Sequence, residues 1–267
     1  MSAREYLSVA DLENYQWRLE NREWPFSLPL VARRLTIPAA IELASLLQSD
    51  PDLSMDRQLL GAFSACSTWR LLRRLNWPTC GPSLKIQDDG VAFISLPNTR
   101  SDPFWIRCLR GFEKALNANG FPIGLSRALT GALGELVDNV WQHSGTEVPG
   151  LIGYQVGRRC LTFGVTDTGM GILDSLRTSP KHRFLTTSMD ALETAILPGV
   201  SRHEFGGYGF STLFQAIAEL WGITRLRTGE AVLLFDRQTE HRKRKRYYLP
   251  ALRGFQVLVS CRLTPRS

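Results

Sequence analysis

Between residues 126 and 143 the chain carries the pattern that most restricts what it can fold into. Leu129, Leu133, Leu136, Val137 and Val140 recur at spacings of three and four, an apolar stripe that only an α-helix gathers onto one face. Ser126 stands where a helix N-cap is expected. Glu135, Asn139 and His143 follow at intervals of four, so all three share the polar face. A helix of this length must bury its stripe against a second layer. The residues that follow supply one: 151–156 and 161–165 are apolar runs around Gly157, Arg158 and Arg159, the pattern of antiparallel strands joined by a short turn.

The elements around this unit predict an α+β fold. Helices are expected over 104–117, ending at Asn119 and Gly120, over 189–196, and from a glycine-rich segment at 206–209 to Trp221, with further strands to Leu263. Upstream, Pro38 opens a helical stretch to Gln48, and residues 59–77 are apolar-rich. Residues 84–86 and 91–96 flank Asp88, Asp89 and Gly90 as a hairpin, because Asp-Gly suits the positive backbone angles of a tight turn. Asn, Ser, Asp and two prolines interrupt the apolar pattern at 97–103. That break divides the chain into a small α/β module over 1–100 and a second domain over 101–267.

Of 267 residues 43% are hydrophobic, enough for a sizeable core, but they are dispersed. No run approaches the roughly 20 apolar residues of a membrane-spanning helix. Charged side chains interrupt the first thirty residues, where a secretory leader would be continuous. Five cysteines at wide spacings, without a C-x-x-C pair, point to ordinary thiols in a reducing cytoplasm. The net charge of +7 is local: residues 1–100 hold 11 basic and 11 acidic side chains, and without the contiguous Arg242, Lys243, Arg244, Lys245 and Arg246 the total would be +2. That run, followed by Tyr247 and Tyr248, is expected as a solvated loop between two strands, with nucleic acid as its less favoured partner.

Three clusters carry chemistry. On the long helix, Glu135 and Asn139 offer a carboxylate and an amide oxygen one turn apart, suited to a water and a magnesium ion, although a solvated polar face would look the same. Asp167-x-Gly169-x-Gly171 follows an apolar strand; its glycines suit a close backbone approach and Asp167 could accept from an exocyclic amine such as that of adenine, or the segment is a plain turn. Gly206, Gly207, Gly209 and Phe210 open a helix whose N-terminal N–H groups suit phosphate oxygens, or form a flexible hinge.

In this order, about 30 and about 40 residues apart, the clusters resemble those of the GHKL, or Bergerat-fold, ATPases. Glu135 and Asn139 match that family's N box, Asp167, Gly169 and Gly171 its first glycine box, and Gly207, Gly209 and Phe210 its second, over a region from Phe104 to Leu263 that includes the closing strand at 252–260. The resemblance implies a helix layer on a mixed, mainly antiparallel sheet, with Mg2+ and ATP as cofactors. It further implies that Asn139 ligates the metal, Asp167 reads the adenine amine, the second-box glycines hold phosphates, and residues 173–205 form a mobile lid.

Glu135 chooses among the family's activities, since hydrolysing members and anti-sigma kinases carry Glu there and histidine kinases usually carry Asn. None of His143, His182, His203 and His241 lies in a phosphoacceptor setting, and the four residues after Leu263 leave no room for a transducer domain. The expectation is a bacterial regulatory protein in signal transduction: a Mg-ATP-dependent ATPase or serine/threonine kinase with Glu135 as general base, acting on a protein partner. A catalytically weak ATP-dependent interaction switch is the alternative. His143 is read either as support for Glu135 or as a cap on the helix end, and Trp69, Trp77 and Trp105 as core or interface aromatics.

Overall fold

The computed structural model describes residues 6–20, 34–49, 66–75, 81–86, 90–97, 99–145, 149–197, 209–218, 220–237 and 243–263. The chain opens with β1 (Tyr6–Leu7), α1 (Val9–Glu20), β2 (Arg34–Leu35), which pairs in parallel with β1, and α2 (Ile37–Ser49). Thr36 Oγ1 accepts from Ala39 N at 3.3 Å at the start of α2, and Pro38 falls in the first turn, where its missing N–H costs no hydrogen bond. From Ala39 to Leu46 every residue of α2 is buried, so this helix is covered on all sides. Next come α3 (Ser67–Arg74), β3 (Ser83–Ile86), β4 (Val91–Ser95), α4 (Pro103–Ala118) and α5 (Ile123–His143). Asp102 caps α4 by accepting from Phe104 N at 2.7 Å, with Pro103 in the first turn. The long helix starts four residues earlier than its sequence suggests. Pro122 precedes its first turn and Ser126 lies inside it, with its N–H on Pro122 O at 2.9 Å.

The second half contains β5 (Leu151–Gly157), β6 (Cys160–Thr166), α6 (Gly171–Arg177), α7 (Ser188–Ala195), α8 (Gly209–Ala216), β7 (Leu220–Asp236) and β8 (Lys243–Leu263). Six strands form one open sheet in the order β3-β4-β5-β6-β8-β7, and all five neighbouring pairs are antiparallel. The α+β class is as expected; a mixed sheet is not what forms. β6 and β7 run parallel, but β8 folds back between them and removes the parallel contact. The break at 97–103 likewise lies within one sheet, because β4 before it pairs with β5 after it, from Val91↔Gln155 to Ser95↔Leu151. The last helix ends at Ala216, before Trp221, which lies in the first strand of the long β7–β8 hairpin.

Both faces of the sheet are covered. Ala92, Ile94, Ile152, Tyr154, Phe163, Val257 and Val259 face one core with α4, α5, α7 and α8, whereas Val91, Phe93, Leu151 and Leu258 face a second core with α1, α2 and α3. The alternation is that of a pleated sheet buried on both sides. Gly153 and Gly164 are cross-strand partners beneath α2. A Cβ on Gly164 would stand 2.6 Å from Ile41 Cδ1 and 2.6 Å from Leu258 Cδ2, and one on Gly153 3.0 Å from Ile41 Cδ1. The paired glycines therefore make the recess in which Ile41 seats the helix. Among the described residues no helix is long and apolar enough to cross a membrane.

Candidate functional site

Helix α5 presents Glu135 and Asn139 one turn apart, both half-buried, as their spacing predicts. Asp138 beside them is buried and pairs with Arg100, Oδ2 to Nη1 3.0 Å. Burial raises its pKa; Arg100 opposes the rise and Glu135 adds to it. The side chain of His143, at the end of the same face, lies outside the described residues.

The segment after β6 is laid directly on the end of α5. Asp167, 4% exposed, donates its N–H to Phe255 O at 3.0 Å, and its Oδ1 accepts from Gly169 N at 2.8 Å. Burial pushes the carboxyl up to about 6, while the backbone N–H groups of Gly169 and Phe255 pull the other way. Met170 N donates to Ser144 O at 2.8 Å, and a Cβ on Gly169 would lie 2.0 Å from that same carbonyl oxygen. Only glycine allows the loop this close to the helix end. Gly171 has φ +75°, and the next N–H, of Ile172, is held by Thr228 Oγ1 at 3.1 Å. The two glycines of the motif thus anchor the loop to α5 on one side and to β7 on the other.

Helix α8, which begins at Gly209, packs along α5, and Phe210 meets Phe255 edge to face, 5.5 Å between centroids. Phe255 therefore links the start of α8 to Asp167, whose N–H its carbonyl accepts. Described residues of all three clusters, far apart in sequence, lie on or against α5: it carries Glu135 and Asn139, its C-terminal end holds the 167–171 loop, and its flank packs against the helix that contains Gly209 and Phe210. Gly206 and Gly207 lie outside the described residues.

Two sequence expectations change. The basic run is not a loop: residues 243–246 open β8 and pair with 233–236 of β7, while Arg242 lies outside the described residues. Alternate side chains reach Glu193 of α7, Arg246 Nε at 2.6 Å and Arg244 through its guanidinium, which also stacks over Phe235 at 5.7 Å. Within the expected lid, residues up to 197 form α6, a 3-10 turn at Pro180–His182 and α7, gathered around Leu176, Leu185 and Ala191; residues 198–205 lie outside the described residues. A depression of about 450 Å³ between α7 and β8, lined by Phe184, Asp190, Glu193, Leu197 and Arg244, contains none of the candidate site residues.

Sequence reasoning missed what lies behind the loop. Glu42 of α2, fully buried, receives Arg225 Nη1 at 2.9 Å and pairs with Arg227, and Arg225 also reaches Glu13 of α1 at 2.8 Å. Burial works against the charge on Glu42, yet the two guanidinium groups hold its pKa below the ordinary value. Arg225 Nη1 continues to Gln256 Oε1 at 2.8 Å, and Gln256 Nε2 to Ser45 Oγ at 3.3 Å, which lies 2.9 Å from Thr166 Oγ1, next to Asp167. One signal was present: a lone carboxylate in the otherwise uncharged helix of 37–49 requires a buried cation. Among the described residues no group of three or more His, Cys, Asp and Glu side chains converges to hold a metal. Comparisons with protein-family models, curated proteins and solved structures found no match.

Proposed function

We propose that this chain is a regulatory ATP-binding protein of the GHKL type, with a Bergerat-like arrangement of helices on an antiparallel sheet, and that nucleotide lies where α5, the 167–171 loop and the start of α8 meet. The observation that carries this reading is that α5, which bears Glu135 and Asn139, holds the 167–171 loop at its C-terminal end through Met170 N to Ser144 O and packs against α8, whose Phe210 meets Phe255. Asp167, a buried acceptor with one oxygen engaged by Gly169, fits the task of receiving the exocyclic amine of adenine. Asn139 supplies one amide oxygen to magnesium, an ion that usually keeps several waters and takes phosphate oxygens rather than a full set of protein ligands. Gly207, Gly209 and the first N–H groups of α8 face phosphate oxygens in this reading.

Magnesium supplies charge neutralisation for the phosphoryl group. Glu135 acts as general base toward a water or a hydroxyl of a protein partner, giving an ATPase or a serine/threonine kinase in signal transduction. A second reading, an ATP-dependent interaction switch of negligible turnover, is favoured by one observation: the charged neighbour shown for Glu135 is Asp138, a like charge whose pKa it raises and which does not orient it as a base. Nucleic-acid binding through the basic run is weakened by the engagement of Arg244 and Arg246 with Glu193. Cytoplasmic location follows from the thiols and remains part of this proposal.

Equilibrium binding of labelled ATP with and without magnesium tests the reading. Asn139→Ala is expected to abolish the magnesium dependence, and Glu135→Ala to slow turnover by about 10²-fold with affinity nearly unchanged. Absence of ATP binding by the wild type would overturn the proposal. Turnover unaffected by Glu135→Ala would leave the switch.

A further inference from the structure

Two serines one turn apart on α2 bracket the backbone that holds Asp167, and we propose that Ser45 and Ser49 are positioning residues for that carboxylate, so that the N-terminal helix layer completes the site. The inference rests on the reading of Asp167 as the acceptor for adenine. Ser49 Oγ accepts from Arg253 N at 3.2 Å, and Ser45 Oγ receives Gln256 Nε2 at 3.3 Å and lies 2.9 Å from Thr166 Oγ1. Between these two attachments stand Gly254 and Phe255, and both touch Asp167. Gly254 has φ +79°, and a Cβ there would lie 2.1 Å from Asp167 O; Phe255 O accepts the Asp167 N–H at 3.0 Å. The backbone that carries Asp167 is thus pressed from the site side and pinned from the α2 side.

Proton counting allows two arrangements in which the Ser45 and Thr166 hydroxyls bond to each other. Gln256 Oε1 is committed to Arg225 Nη1, which leaves its amide N–H for Ser45. Ser45 Oγ also lies 2.9 Å from Ile41 O, and Thr166 Oγ1 lies 3.2 Å from Phe255 O. In one arrangement Ser45 donates to Thr166 and Thr166 to Phe255 O; in the other Thr166 donates to Ser45 and Ser45 to Ile41 O. Both leave Thr166 tied to α2 through the Ser45 oxygen. Ser49 is itself held, donating to Ser45 O at 2.9 Å. Glu42, on the same helix, fixes Arg225 and through it the Gln256 amide, so the attachment has a rigid base.

Amide hydrogen exchange in the nucleotide-free full-length chain tests the inference. In Ser45→Ala/Ser49→Ala the Asp167 N–H is expected to exchange about tenfold faster, while amides in the middle of α5 and along β5 keep wild-type rates. Ser49→Ala, at a half-exposed position, should show part of the effect, and Ser49→Thr, which retains the hydroxyl, none. An unchanged Asp167 amide in the double variant would overturn the proposal, as would acceleration shared equally by all amides, the mark of general destabilisation. In the second arm, the preference for ATP over GTP should fall about tenfold in the double variant, with GTP affinity unchanged. A full preference retained there overturns the positioning role. If the wild type binds neither nucleotide, the reading of Asp167 fails, and the exchange arm still decides whether the serines position it.

Discussion

At the scale of the residue, Asp167 couples fold stability to pH and to binding. Its carboxyl is lifted by burial from an ordinary 3.8 to about 6. Between those values the folded chain holds a proton that the unfolded chain has released, so this group lowers stability as pH rises from about 4 to about 6 and contributes no further change above that. The full penalty is on the order of 3 kcal/mol. Glu42 acts with the opposite sign: its folded pKa lies below 4.5, so its contribution is complete above 4.5 and is lost as pH falls through the folded value. Urea unfolding from well below pH 4 up to pH 7 separates the two. Asp167→Asn is expected to remove the falling component while leaving the acid-side loss due to Glu42; identical pH profiles for variant and wild type would show that Asp167 is not held up by burial. Receiving an amine requires the carboxylate, so ATP affinity should rise through about pH 6 in the wild type and stay level through it in the variant.

At the scale of the element, α2 is seated by what the strands below it lack. Gly164→Ala would place a methyl 2.6 Å from Ile41 Cδ1 and Leu258 Cδ2 and 3.0 Å from Val257 O, a backbone atom that does not yield. The expected loss is about 1–3 kcal/mol, read as a lower urea midpoint. A wild-type midpoint would mean that α2 does not rest there. The contrast shows what the sequence discloses. α4, α5, β5 and β6 were legible because each carries its own period and local stop signals, such as Asp102 before Pro103 and the turn at 158–159. α2 was legible as a helix, but nothing in a segment buried all round names the surface it covers. The basic run misled because its charges find Glu193, some fifty positions away, and a long strand absorbs them. In the site, Asp167, Gly169 and Gly171 stand out as a motif, whereas Ser144, Thr228, Gly254 and Phe255 matter only through contacts that no local pattern records.

At the scale of the whole molecule, the two halves separated by the prolines at 97 and 103 share one sheet and one buried polar network. Arg225 and Arg227 alternate with Leu226, which faces the other core, so a single strand joins the charged back of the sheet to its apolar front. Removing one member of such a buried pair usually costs about 3–5 kcal/mol, whereas a well-packed apolar replacement of all members can be neutral. The network therefore serves to fix how α1 and α2 lie on β7 and β8, and the Ser45–Thr166 contact carries that order to the edge of the site. The central claim, that the junction of α5, the 167–171 loop and α8 receives adenine through Asp167, is tested most directly by competitive equilibrium binding of ATP and GTP to the wild type and Asp167→Asn in the presence of magnesium. The account predicts a wild type that prefers ATP by about tenfold or more, because guanine would set a carbonyl against the carboxylate, and a variant in which that preference is largely lost. Equal affinities of the wild type for the two nucleotides would contradict it.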